Sequence, residues 1–133
     1  MSVRIEGRIE ELLTGKNFCT VATLREDGSI HCAPVWVDVQ DGRPVLNTAE
    51  GRAWPRNLER DPRVTLTVQN HENPYEYVSI RGRATERTHD GADAHIDALA
   101  KRYLGAESYP LRKPGEQRLI VRVEPEQVHH TGA

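Results

Sequence analysis

The chain has 133 residues, with 18 Lys and Arg against 20 Asp and Glu, for a net charge of -2 at pH 7. That balance lacks the basic excess of a general nucleic-acid binder, and no stretch approaches the roughly 20 apolar residues of a membrane span. No apolar run follows Met1-Ser2-Val3-Arg4-Ile5-Glu6, so no secretory leader is expected and the composition reads as one soluble, cytoplasmic domain with a single core.

Ile5, Ile9, Leu12 and Leu13 follow helical spacing, and Gly15 is a suitable stop. Phe18 to Leu24 is β-branched and apolar, which predicts a strand. Asp27-Gly28 is a tight-turn pair, and the next strand is expected from about Ser29 to Val39, with Pro34 marking a bulge or an edge because it lacks an N–H. Asp41-Gly42 predicts a second hairpin, and Pro44 to Thr48 returns as a strand.

Gly51 then turns the chain into a short helix that ends at Asp61-Pro62. Val64, Leu66 and Val68 alternate with Thr65 and Thr67, the pattern of a half-buried strand. Gln69 to Pro74 is loop-like. Tyr75 to Arg87 reads as a long strand with Val78, Ile80, Gly82 and Ala84 on one face and Tyr77, Ser79, Arg81 and Arg83 on the other. Asp90 is the expected cap of a late helix carrying Ile96, Leu99, Ala100 and Tyr103, which Gly105 ends. Glu107 to Gly115 is a loop, Gln117 to Val123 a last strand, and His129 and His130 are read as tail residues.

Cys19 and Cys32 stand apart, without a Cys-x-x-Cys spacing. Both are expected to be reduced, small core residues. The six histidines are scattered, and no metal-ligand spacing is present, so no metal site is expected.

The segment Asn47 to Arg63 is the richest in chemistry. Arg52, Arg56 and Arg60 recur every four residues and share one side of the short helix. A helix start offers unpaired N–H groups and a partial positive charge, so Gly51 and Arg52 make a seat for a phosphate. The same pattern suits a solvated helix face with Glu50, Glu59 and Asp61 as partners.

About six strands, mostly joined by hairpins, predict a mainly β fold with an antiparallel sheet and peripheral helices. A barrel this small is filled by its own side chains. Its ligand site is expected in a surface cleft or between two copies.

At this point the chain resembles the flavin- and deazaflavin-binding split β-barrel proteins, the pyridoxamine 5′-phosphate oxidase-like superfamily or FMN-binding split barrel. The resemblance runs from about Ile5 to Val128. It is carried by the hairpin Cys19-Thr20-Val21-Ala22-Thr23-Leu24 to Ala33-Pro34-Val35-Trp36-Val37, by Asn47-Thr48-Ala49-Glu50-Gly51-Arg52 with Arg56-Asn57-Leu58 and Asp61-Pro62-Arg63-Val64, by Tyr77-Val78-Ser79-Ile80-Arg81-Gly82-Arg83-Ala84, and by the late helix from Ala94 to Gly105. It is similar above all to the smaller enzymes of that superfamily that use coenzyme F420. The chain ends without the Arg-x-His element of the vitamin B6 oxidases, so the resemblance does not extend to that activity. It also carries Trp54 where many relatives have a lysine.

The resemblance implies a homodimer with one cofactor, F420 or alternatively FMN, in each interface groove, acting with a small-molecule substrate. By position, Arg52, Arg56 and Asn57 would hold the phosphate and the anionic tail, with Thr48 assisting. Pro34, Val35 and Trp36 would line the ring, and His31 would approach the same groove. Tyr77, with Tyr75, would serve the face supplied by the second subunit. The implied reaction is hydride transfer to an electron-poor conjugated molecule, for which the cofactor supplies the electronics and no catalytic triad is needed. His31 and Tyr77 are the side chains that could protonate the product; ordinary packing or surface placement is the alternative for each and the favoured reading of His31. An FMN-dependent oxidoreductase and a non-enzymatic flavin, haem or F420 carrier are the rival readings.

Overall fold

Glycine and proline cut the chain into short pieces, each too small to bury its apolar side alone, so the pieces must pair. In the computed structural model, which describes residues 3–132, they form α1 (Gly7–Thr14), β1 (Cys19–Leu24), β2 (Ile30–Val35), β3 (Val37–Gln40), β4 (Arg43–Ala49), α2 (Ala53–Arg60), β5 (Arg63–Gln69), β6 (Tyr77–Thr88), α3 (Ala92–Leu104) and β7 (Arg118–Thr131). The strands make one sheet in the order β2-β1-β5-β6-β7-β4-β3, and every pairing is antiparallel.

This order corrects the expectation of about six strands. The single strand expected from Ser29 to Val39 is two strands, β2 and β3, at opposite margins of the sheet. One residue, Trp36, joins them, so the sheet must curl until its margins meet there. The result is a split β-barrel with seven strands.

Alternation along the strands fills one face with Val21, Leu46, Leu66, Val68, Val78, Ile80, Leu119 and Val121, closed by Leu12 and Leu13 of α1 and by Trp54 and Leu58 of α2. The opposite face of β4 and β7 is covered by α3, where Val45 and Ile120 meet Ala92. Strand β4 is therefore buried from Pro44 to Ala49 without alternation.

The end of α3 locks the seam at Trp36. The Trp36 ring stacks on Tyr103, with centroids 5.1 Å apart and planes at 5°. Tyr103 Oη donates to Asn17 O at 2.7 Å and accepts from Val37 N at 3.3 Å. Arg102 donates to Val37 O at 2.8 Å and to Asp38 Oδ1 at 2.7 Å.

Three further expectations are corrected. Helix α3 begins after Gly91 at φ 75°, with no side-chain cap, rather than on Asp90. Cys19 is buried, but Cys32 is exposed, because the outward side of the marginal strand β2 takes Ile30, Cys32 and Pro34. His129 and His130 are not tail residues. They belong to β7, which pairs with β6 as far as Tyr77↔Thr131, and His130 Nε2 lies 2.9 Å from Glu76 Oε2. Arg8 forks onto the same buried carboxylate at 2.9 and 2.6 Å, and Asn70 donates to it at 2.9 Å. The hydrogen bonds of Arg8, Asn70 and His130 hold Glu76 well below the usual carboxylate range. No helix of the described residues is long and apolar enough to cross a membrane.

Candidate functional site

Four segments far apart in sequence converge beside the seam. Strand β2 delivers Pro34 and Val35 to Trp36. A turn at Gly51, φ 91°, carries the chain from β4 into α2 and leaves Arg52 extended at its head. The loop after α3 brings Tyr109 and Leu111, and β7 begins with Arg118. Together they line a cavity of about 290 Å³.

Of the residues predicted from sequence, Pro34, Val35, Trp36 and Arg52 line this cavity. Phe18, Ile96 and Leu111 extend its apolar wall, and Tyr109 stands edge-on to Trp36 at 6.0 Å. Asn47 and Arg118 supply the polar floor.

The other predicted residues lie elsewhere, each for a local reason. Thr48 is fully buried, shares the face of Leu46, and its Oγ1 has no partner among the described residues. Asn57 turns inward, where its Nδ2 donates to Thr23 Oγ1 at 3.1 Å and its Oδ1 accepts from Arg60 at 2.9 Å. Its amide ties α2 to β1, and Arg60 completes the tie by donating to Leu24 O at 3.2 Å. Of the three arginines read as one stripe, Arg60 thus serves the fold. Arg56 is exposed and outside the cavity. His31 shares the inward side of β2 with Ala33 and Val35, and its Nδ1 is buried without a partner among the described residues. Tyr77 is half-buried at the start of β6, with its ring 6.2 Å from that of His129. Trp54 belongs to the core and anchors its helix. A larger cavity of about 430 Å³, which carries Arg63, Arg81 and Arg83, contains none of the predicted residues.

Neither Asn47, although it opens the arginine-rich segment, nor Arg118 was given a site role from the sequence, yet they organise the floor. Arg118 is buried, and its Nε donates to Asn47 Oδ1 at 3.0 Å while Nη1 donates to Glu116 Oε1 at 2.9 Å. Because arginine only donates, the amide oxygen of Asn47 must face it. The Asn47 Nδ2 then donates to Ala92 O at 2.9 Å and to His95 Nδ1 at 3.1 Å. That assignment places the His95 proton on Nε2, which faces Asp38 Oδ2 at 3.3 Å. A continuous polar path thus runs from the seam to the cavity. Asp97 fixes the loop over it, accepting from Tyr109 N at 2.8 Å and Arg112 Nη2 at 2.6 Å. These bonds, the Tyr109 amide first, lower the Asp97 pKa.

The arrangement joins a flat aromatic and aliphatic wall to a cationic floor and rim. Such a site suits a planar apolar body bearing negative charge.

Comparisons with known proteins agree with this architecture. No curated protein sequence matches at a significant level. Among solved structures, an F420 reductase superimposes with a TM-score of 0.80 at 24% identity, over 94% of this chain and 98% of that one. A conserved hypothetical protein of Mycobacterium tuberculosis gives 0.72 at 23% identity, over 97% and 85%. General Stress Protein 26 of Bacillus anthracis gives 0.66 at 17% identity, over 93% and 94%. At these identities the likeness speaks for the fold. The sequence model described as Pyridoxamine 5'-phosphate oxidase matches residues 5–132. With nearly the whole chain matched and the curled antiparallel sheet in place, the protein belongs to the pyridoxamine 5'-phosphate oxidase family.

Proposed function

We propose that the protein is an F420-dependent reductase that works as a homodimer and passes a hydride to an electron-poor conjugated small molecule. The observation that carries this reading is the single cavity in which Pro34, Val35 and Trp36 of the seam meet Arg52 at the head of α2. The name of one structural neighbour, F420 reductase, supports the choice of cofactor.

The residues present fit the group. F420 joins a planar ring to a phosphate and a glutamate tail. Trp36 and Pro34 offer an apolar surface against which a ring can lie. Arg52 stands at the α2 head, where unpaired N–H groups and the helix field favour an anion. At about 290 Å³ the cavity is near the lower end of the range for ligand sites, so Pro34, Val35 and Trp36 would hold the ring and Arg52 would meet the anionic tail. Bound reduced F420 would supply the hydride. The chain's part would be to position the acceptor against the ring, with Phe18, Ile96 and Leu111 as the apolar wall beside it. His31 does not line the cavity, and Tyr77 does not line it within one chain, so in this reading the proton comes from solvent or from the second subunit.

The test is a fluorescence titration with F420 beside FMN, followed by turnover of reduced F420 with quinone and enone acceptors. Micromolar F420 binding with weaker FMN binding, and a loss of about tenfold or more in Arg52→Ala, is the expected result. FMN binding alone would replace this reading by a flavin enzyme. Binding without turnover of any acceptor would leave a carrier.

A further inference from the structure

Arg118 is the most firmly held cation of the cavity. Its side chain is 2% exposed, and a guanidinium that deep is costly unless its charge is met. Among the described residues, Glu116 is the one carboxylate within ion-pair distance of Arg118, at 2.9 Å, and of Arg52, at 4.0 Å. Two guanidiniums therefore share one carboxylate, which leaves one positive charge. Arg118 spends Nε on Asn47 and Nη1 on Glu116, while Nη2 has no acceptor among the described residues. The Tyr109 ring lies 5.0 Å from Cζ and orients the plane of the fork. Across the cavity stand Trp36 and the exposed rim residues Phe18 and Leu111, at 57% and 64% exposure.

We propose that Arg118 is a binding residue of this cavity and that, with Arg52, it receives one anionic group, a carboxylate or a phosphate ester, of a ligand whose planar apolar body lies against Trp36. The proposal rests on this cavity being the ligand site of the reading above, but not on F420 being the ligand. The fork is set in advance. Asn47 and Glu116 fix two of its nitrogens, and the Asn47 amide is fixed in turn by Ala92 and His95. An arriving anion pays little to reorganise such a donor, and a charge-assisted bond to it is strong.

Two ligand pairs test this, each with and without the anion: 2-naphthoate beside its methyl ester, and FMN beside riboflavin. Wild type, Arg118→Lys and Arg118→Met are titrated and followed through the arginine Nε–H NMR signals, with thermal unfolding as a check on folding. Wild type is expected to prefer the anionic member of at least one pair by about tenfold or more. The one Nε–H signal absent from Arg118→Lys should be the one that shifts. Arg118→Met should lose the preference and Arg118→Lys should retain part of it, so the lysine variant still decides if the methionine variant fails to fold. Loss confined to the FMN pair assigns the seat to a phosphate ester, and loss confined to the naphthoate pair assigns it to a carboxylate. Absence of any preference in wild type, or a preference undiminished in Arg118→Lys, would overturn the proposal. Failure to bind either F420 or FMN, with the naphthoate preference intact, would end the reductase reading and leave Arg118 in place.

Discussion

Asp38 is the residue at which the seam and the site share a charge. Its two oxygens accept from Arg102 at 2.7 Å and from His95 at 3.3 Å. Partial burial opposes ionisation, but the hydrogen bonds from His95 and Arg102 outweigh it and hold the carboxyl at about 2. In an unfolded chain the same group titrates near about 3.9. The folded value is the lower one, so the stabilisation is fully present above about pH 4 and is lost as pH falls toward about 2. Urea midpoints of wild type and Asp38→Asn should therefore differ most near neutral pH and converge as acid is added. A gap that stays constant through the acid range would remove Asp38 from the acid sensitivity of the fold. Glu76, just before β6, acts in the same direction, and comparison of the two proteins cancels it.

At the scale of elements, the pairing of β6 with β7 depends on one glycine. The register shifts between Arg81 and Gly82, and there the backbone of β7 comes so close that a Cβ on Gly82 would overlap the Glu124 carbonyl oxygen. A main-chain atom inside a sheet cannot swing aside. Gly82→Ala should thus cost about 1–3 kcal/mol or more, read as a lower urea midpoint, and an unchanged midpoint would show that the bulge can relax. The sequence gives such elements unevenly. The Asp41-Gly42 turn was legible because its chemistry is local, and both residues do take positive φ, 53° and 73°. The alternation of Val64, Leu66 and Val68 was legible for the same reason. The break at Trp36 was not, since alternation runs through it and only the choice of different partners by β2 and β3 divides the strand. Nor was the length of β7, whose polar end at His129 and His130 is held by pairing with β6. Arg52 could be found from its own turn. Arg118 lies 71 positions from Asn47, and no local pattern states that these two side chains share a face.

At the scale of the whole molecule, the question is what covers the rim of the cavity. Phe18 and Leu111 are exposed at its mouth, and Ile30, Tyr75 and Leu104 are exposed elsewhere on the surface. Single exposed apolar residues need no explanation. Two of them on the lip of an apolar cavity are what a ligand or a second chain would cover. The homodimer we propose would deepen a site that one chain leaves near the lower size limit, and a twofold contact would complete both copies at once. Sedimentation equilibrium should then give twice the 15.0 kDa of one chain, with F420 affinity falling on dilution into the range where the dimer dissociates, since each ligand would be held by two chains. A mass of 15.0 kDa at every concentration, with F420 bound as tightly throughout, would mean that one chain builds the whole site. Arg52, Arg118 and the Trp36 seam would then have to account for binding by themselves.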